Sequence, residues 1–354
     1  MTAVSGFKIG NRDIGPAHDP FIIAEMSGNH NGSLDRALAI VDMAAKSGAH
    51  ALKIQTYTAD TMTLDLDEGE FRITDENSLW SGETLYQLYE KAHTPWDWHK
   101  PIFDRCRQHD MLGFSAPFDP TAVDFLFNLD VPAYKIASFE ILDLPLIRKA
   151  ASTGKPLIMS TGMATEAEIN DAVQAARTAG CKDLMLLKCT SSYPADPYDS
   201  HLKSIPYLQE RFQCLVGLSD HTPGIGAAIA AVALGAVAVE KHVTIARKDG
   251  GVDSAFSLEP HELESLVTES KMARAALGTV QLGPTEQEKA SLQFRRSLYI
   301  VRDVAKGARL STEDVRPIRP GYGLAPKHLE AVIGKIAKSD IKRGTALSFE
   351  LLQN

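Results

Sequence analysis

Along this chain, short apolar runs rich in β-branched residues alternate with longer segments whose apolar positions recur every three or four residues. That alternation predicts strands and helices in strict succession. The strand-like runs span 21–26, 51–57, 111–117, 133–138, 157–161, 183–190, 214–219 and 236–243. Helical periodicity fills the stretches between them, most clearly over 34–47, 167–179 and 226–234, with a last one over 261–277. Eight such βα repeats predict an α/β fold of the closed (β/α)8 TIM-barrel kind in preference to an open doubly wound sheet. A polar opening at 8–15 predicts a hairpin turning around Asn11. Between the second and third strands the connection 64–108 is long and carries Trp80, Trp96 and Trp98. Extra helices over the barrel mouth are expected there, either as a substrate lid or as an insertion on the rim.

The repeat stops near Gly283 and Pro284, which divides the chain into a barrel over 1–282, a polar linker over 283–296 and a small module over 297–354. In the module, 297–302 reads as a strand, 310–314 as the start of a short helix and Arg319-Pro320-Gly321-Tyr322-Gly323 as a turn. A barrel takes about 250 residues and a small module about 50, so 354 residues suit one of each. With 44% hydrophobic and 23% charged residues the chain can build a large core and is not a disordered one. A net charge of -8 excludes a basic nucleic-acid footprint over the whole chain. The charge is unevenly divided: 13 of the 37 Lys and Arg residues lie from Thr285 onward against 8 of the 45 acidic ones, so the tail is +5 and the remainder -13. A basic module of this kind suits docking across a dimer. Cys106, Cys181, Cys189 and Cys214 form no C-x-x-C pair and are expected as reduced, buried thiols. The chain opens without a secretory pattern and has no run of 18 apolar residues, so a cytoplasmic location without a membrane partner is expected.

In a barrel of parallel strands, chemistry sits at the carboxyl ends, and there the polar residues gather. The first strand ends in Glu25-Met26-Ser27-Gly28-Asn29-His30, the second carries Lys53 and Gln55, the third Ser115, and the fourth Lys135, Ser138 and Glu140. Ser160, Lys188, Ser219-Asp220-His221 and Glu240-Lys241-His242 end the others. Lys53 and Lys135 each begin a K-I-x tripeptide on an otherwise apolar strand, where an unpaired ammonium is costly to bury. With Ser115, Ser138, Ser160 and Ser219 they suit a small phosphate-bearing substrate. The alternative is that each lysine pairs with Glu25, Glu140 or Glu240. His221 and His242 terminate adjacent strands, and two neutral imidazoles suit Mn, Co or Zn with open positions left for water and substrate oxygens. His30 is a further candidate for a substrate contact. Neither a G-x-G-x-x-G signature nor a P-loop occurs, which argues against nicotinamide or nucleotide-hydrolysing chemistry.

These strand ends resemble those of a known family. F-I-I-A-E-M-S-G-N-H-N-G from Phe21, K-I-Q-T-Y from Lys53, Y-K-I-A-S-F-E from Tyr134, M-S-T-G-M-A-T from Met159, G-L-S-D-H-T from Gly217 and V-E-K-H from Val239 resemble the sialic acid synthase family over nearly the whole chain. Members condense phosphoenolpyruvate with an N-acetylated amino sugar. The C-terminal R-S-L-Y, R-P-G-Y-G and I-K-R-G-T-A-L-S stretches resemble the antifreeze-like (SAF) β-clip domain, which in the family caps the partner's active site in a domain-swapped homodimer. The resemblance implies phosphoenolpyruvate held by Lys53, Gln55, Ser115, Lys135, Ser138, Ser160 and Ser219, and catalytic carboxylates at Glu25 and Glu140. It further implies sugar contacts from Tyr193, Asp253 and, across the dimer, Arg319, and a divalent metal (Mn, Mg or Co) on His221 and His242.

Two departures bear on the sugar. Ser191-Ser192-Tyr193 stands where an Asn is usual two residues before the Tyr, and the capping motif reads G-Y-G in place of G-N-G. With K-I-Q-T-Y-T, the L-W from Leu79, L-Y-Q-L-Y-E from Leu85, T-P-W-D-W-H from Thr94 and K-C-T-S-S-Y-P from Lys188, they resemble the pseudaminic acid synthase branch. Its substrate is 2,4-diacetamido-2,4,6-trideoxy-L-altrose, and its product is destined for flagellin or a surface polysaccharide. An apolar contact for the deoxygenated C6 is expected from the Trp-rich insertion. The other readings are an N-acetylneuraminate or legionaminate synthase, a Schiff-base aldolase using Lys135 or Lys188, and a non-catalytic sugar- or ice-binding protein.

Overall fold

A computed structural model describes residues 5–75 and 80–354, so Leu79 lies outside the described residues. Two compact units result, Met1–Gly278 and Thr279–Asn354. The first opens with an antiparallel hairpin, β1 (Phe7–Ile9) and β2 (Arg12–Ile14). Gly10 makes the turn with φ +57, in the left-handed region that glycine enters without steric cost. Ile9 and Ile14 are fully buried in the main core, and a Cβ on Gly10 would stand 2.9 Å from Leu112 at the start of a barrel strand. The hairpin therefore closes the amino-terminal end of the barrel, away from the carboxyl ends of the strands.

Eight parallel strands follow: β3 (Phe21–Glu25), β4 (Ala51–Thr56), β5 (Leu112–Pro117), β6 (Tyr134–Ile136), β7 (Leu157–Ser160), β8 (Leu184–Cys189), β9 (Leu215–Asp220) and β10 (Ala238–His242). Each pairs with the next and β10 returns to β3, closing the barrel. Every strand is covered on both faces, which is why each reads as a nearly unbroken apolar run. The helices turn one apolar stripe inward: Ala37, Ile40, Val41 and Ala44 of Leu34–Lys46 are buried at helical spacing. Their starts are fixed by side chains, as where Ser33 accepts from the Arg36 N–H and Thr165 forms a capping box with Glu168. Each such cap contributes about 1 kcal/mol.

The long connection between β4 and β5 is only partly an insertion. Its helix Trp96–Gln108 is the barrel's own outer helix, with Ile102, Phe103 and Cys106 buried, while Leu85–Ala92 is the added one. In the second unit β11 (Ser297–Ile300) pairs antiparallel with β12 (Val315–Ile318), and β13 (Ile336–Ala337) with β14 (Leu352–Gln353), around a small core that includes Leu298, Ile300, Leu310 and Leu347.

One expectation for this region is corrected. Residues 310–314 form a turn and not a helix, because Asp314 accepts from the Ser311 N–H and hydroxyl and from Arg302, closing the chain into β12. In the polar stretch after Pro284, Thr285 and Glu288 form a capping box that starts the helical turn Glu286–Lys289. Among the described residues, no helix is long and apolar enough to cross a membrane.

Candidate active site

Because side chains alternate along a strand, each barrel strand sends every second residue inward and the rest toward the helices. Register aligns the inward ones at the carboxyl ends: Glu25 is opposite Lys53 on one side and His242 on the other, and Ser219 is opposite Glu240. Lys53 Nζ lies 2.8 Å from Glu25 Oε2 and 3.9 Å from Glu240 Oε2, and Lys135 Nζ lies 3.6 Å from Glu240 Oε1. Lys135 donates to Ser160 at 2.7 Å, Ser219 donates to Glu240 at 2.9 Å, and the Gln55 amide donates to Glu25 at 3.3 Å. Ser138 accepts from the Gly162 N–H at 3.2 Å, an approach that requires glycine, since a Cβ there would stand 2.7 Å from the Ser138 hydroxyl.

The pairing of the lysines with glutamates is thus visible. The group they form is a ring of anchoring side chains facing the mouth. Lys53 and Lys135 are 3% and 2% exposed, so their environment sets their charge. Burial alone would pull the Lys53 ammonium down, but Glu240 and Glu25 outweigh it and hold its pKa above the usual range. Burial lowers that of Lys135 in spite of Glu240. Burial pushes Glu25 up to about 7 against the opposing pull of Lys53. It also pushes Glu140 to about 7, and the Glu140 Oε2 atom makes no hydrogen bond among the described residues. Glu240 is buried too, but Lys135 and Lys53 hold its pKa below the usual carboxylate value.

Sequence reasoning gave Glu240 no role beyond a lysine's partner. Its signal was its parity with His242, two residues on and therefore on the same face. Cys189 was likewise read only as a buried thiol. Burial alone would raise it, but the His221 ring 4.0 Å away and the Ser138 hydroxyl bring it down to about 7.

Three candidates are placed elsewhere. Ser115 faces outward with Ile54, its register partner, because Lys53 and Gln55 take the inward positions. Its hydroxyl donates to the Ile54 carbonyl and lies 2.6 Å from Thr56, which in turn meets the His99 ring at 2.7 Å. Ser115 is thus part of a structural network under helix Trp96–Gln108, and the expectation that it holds phosphoenolpyruvate is corrected. Lys188 also faces outward, donating to Thr190 at 2.7 Å, which removes it as a Schiff-base lysine. His30 is fully buried, its Nδ1 accepting from the Gly32 N–H and its ring edge-on to Trp98, and it is a satisfied structural residue.

The His221 and His242 rings stand 5.3 Å apart between centroids. His221 Nδ1 is 2.9 Å from the Thr190 carbonyl, so that nitrogen carries a proton and donates it there. His242 is pulled well below its usual pKa, chiefly by burial, and its buried Nδ1 makes no hydrogen bond among the described residues, with Asp253 Oδ2 3.6 Å away. A neutral ring with an unused nitrogen beside a second imidazole fits a divalent cation. No cluster of three or more His, Cys, Asp and Glu side chains close enough to hold a metal occurs among the described residues.

Aromatic rings wall this pair. Tyr193 is 4.4 Å from His221 and Phe256 is 5.1 Å from His242. Trp80 reaches Tyr193 at 6.2 Å and donates its indole N–H to the Val252 carbonyl at 3.1 Å. Of the three tryptophans only this one adjoins the site, since Trp96 stacks on Phe125 and Trp98 packs against His30. Buried Asp253 borders the same wall, its pKa raised by burial. Arg319 is exposed on the second unit.

Comparison with known proteins gives the same outline. The NeuB family model matches residues 40–282 and the SAF domain model residues 295–353. The pseudaminic acid synthase of Campylobacter jejuni is 45% identical over 92% of this chain and 95% of its own length. That of Helicobacter pylori is 42% identical over 93% and 96%. A crystal structure of N-acetylneuraminic acid (sialic acid) synthetase from Leptospira borgpetersenii, in complex with citrate, superposes with a TM-score of 0.72 at 33% identity, covering 83% of this chain and 98% of that one.

Proposed function

The chain belongs to the NeuB family, and from that premise we propose that it condenses phosphoenolpyruvate with 2,4-diacetamido-2,4,6-trideoxy-L-altrose to give pseudaminic acid and phosphate. The observation that carries the reading is the pair of buried lysines, Lys53 and Lys135, set among serine hydroxyls beside two imidazoles. Two ammonium groups on the inner face of a barrel answer the phosphate and carboxylate of phosphoenolpyruvate. Gln55, Ser138, Ser160 and Ser219 supply the neutral donors around them.

His221 and His242 would hold a divalent metal (Mn, Mg or Co), which when bound supplies Lewis-acid polarisation of the open-chain sugar aldehyde. Tyr193 and Asp253 border the place where the sugar would stand, and Trp80 gives it an apolar edge suited to a deoxygenated C6. A bond forms from C3 of phosphoenolpyruvate to the aldehyde carbon as the C2–C3 double bond gives up its π pair, and the aldehyde oxygen takes a proton from solvent to become a hydroxyl. The positive charge left at C2 faces Glu140. Water then adds at C2, giving its proton to Glu25, whose raised pKa of about 7 suits a general base near neutrality. The bond from C2 to the bridging oxygen breaks as the ketone forms, and phosphate leaves with that oxygen. Lys53 and Lys135 offset its charge throughout.

The reading includes a domain-swapped homodimer in which Arg319 of one copy meets the sugar's N-acyl group in the other. Its support is the exposure of Arg319 and the opposed charges of the tail and the barrel. A cytoplasmic location belongs to the same reading and is supported by four cysteines that are all free.

Phosphate release assayed in parallel with the diacetamido altrose, its gluco and manno diacetamido isomers and N-acetylmannosamine tests the assignment. Release with the altrose alone is expected, whereas release with N-acetylmannosamine alone would overturn the sugar. Oxygen-18 in the bridging position should appear in phosphate, and its retention in the nine-carbon product contradicts C–O cleavage.

A further inference from the structure

Lys241 sits between Glu240 and His242, and because those two point inward, alternation sends Lys241 to the helix side of the barrel wall. It is fully buried there. Its ammonium donates to Asp220 Oδ2 at 2.7 Å and to the Thr222 carbonyl, and Asp220 Oδ1 accepts the Thr222 N–H at 2.9 Å. Lys241 and Asp220 are register partners on β10 and β9. Every group in this knot is a chain neighbour of a site histidine: Lys241 directly precedes His242, and Asp220 and Thr222 flank His221. The His221 ring is tied separately to the Thr190 carbonyl, and its own carbonyl accepts from the Ala195 N–H at 3.0 Å.

Stability does not account for the pair. A buried lysine and aspartate pay desolvation that their attraction roughly cancels, and well-packed apolar residues in their place are commonly as stable or more so. A charged pair does supply direction. The two bonds from Lys241 fix the end of β9 against the end of β10, the Thr222 N–H to Asp220 bond stiffens the turn around His221, and the separation of the two imidazoles follows. We propose that Lys241 and Asp220 form a positioning clamp that holds His221 and His242 at the spacing at which they share one divalent cation. The proposal rests on the reading of these histidines as the cation's holders.

The test is Mn2+ alone, titrated into the full chain and followed by the electron paramagnetic resonance of free Mn2+ and by calorimetry. Lys241→Met and Asp220→Asn should each weaken Mn2+ binding about tenfold or more. The double variant should be no weaker than the worse single one, because both remove the same clamp. Phosphoenolpyruvate affinity measured without Mn2+ should stay within about twofold of the parent in all three, and Lys241→Arg should recover part of the Mn2+ affinity. Asp220→Asn keeps an acceptor for the Thr222 N–H and carries the test should Lys241→Met fold poorly. Mn2+ binding within about twofold of the parent in the single variants, while His242→Ala abolishes it, overturns the clamp. Equal losses of Mn2+ and phosphoenolpyruvate affinity also overturn it, because the pair is then a general structural element. A His242→Ala chain that still binds Mn2+ overturns the histidine reading first, and the clamp with it.

Discussion

The two faces of the barrel strands carry comparable numbers of buried polar side chains but use them differently. On the outward face Ser115, Thr56 and His99 satisfy one another, Lys188 is held by Thr190, and Lys241 by Asp220 and Thr222. On the inward face Glu240 and His242 each keep a buried atom without a hydrogen bond among the described residues, although Lys135 lies 3.6 Å from Glu240 and Asp253 3.6 Å from His242, and Glu140 in the turn just beyond β6 keeps another. A buried polar group left unsatisfied is costly, and such groups gathered at one end of a barrel mark where a ligand completes the bonding. Residue type therefore says less about role than which side of the strand a residue occupies.

The sharpest way to break this contrast is to remove an inward charge. Lys135→Met takes from Glu240 one of its two lysine partners and from phosphoenolpyruvate the ammonium proposed to hold it, a loss of about 3–5 kcal/mol, so kcat/KM should fall by hundreds- to thousands-fold in steady-state assays. Glu25→Gln should lower kcat by about 100-fold or more. The carboxylate form is the active one, so the parent's rate should rise with pH through about 7, and this limb should vanish in the variant's pH profile.

Glu140→Gln sharpens the contrast through stability. The folded pKa of about 7 lies above the ordinary 4.5, so the shift favours the folded state fully below pH 4.5, and that contribution is lost as pH rises through 7. Glutamine has no such loss. In urea unfolding the variant's advantage should be near zero at pH 4, grow between 4.5 and 7, and level off at no more than about 3 kcal/mol at pH 8. The smallest effect is expected outside. Ser115→Ala should lower stability by about 1–2 kcal/mol by thermal unfolding and leave KM for phosphoenolpyruvate within about twofold, whereas Ser160→Ala should raise that KM and leave the melting temperature nearly unchanged.

The barrel was legible because each strand is a short apolar run bounded by turn residues, and the eight predicted runs coincide with β3–β10 to within a few residues. Most of the inward ring was legible as well, since Lys53, Lys135 and His242 interrupt apolar runs in a way that sequence alone exposes. Ser115 was not. Its strand is covered on both sides, so Leu112 to Pro117 shows no polar alternation, and only the register with β4 reveals that Gln55 is opposite Ala116 while Ser115 faces the helix. Residues 310–314 misled for a different reason: a Ser and two acidic residues make a plausible helix start, and only the distant Arg302 shows that Asp314 closes a turn.

The inward Lys135 and not the outward Lys188 is expected to bind phosphoenolpyruvate, and calorimetric titration of phosphoenolpyruvate into Lys135→Met and Lys188→Met measures this directly. Binding at least about 100-fold weaker in Lys135→Met and within about threefold of the parent in Lys188→Met is predicted. Equal affinities in the two variants, or the greater loss in Lys188→Met, would contradict it.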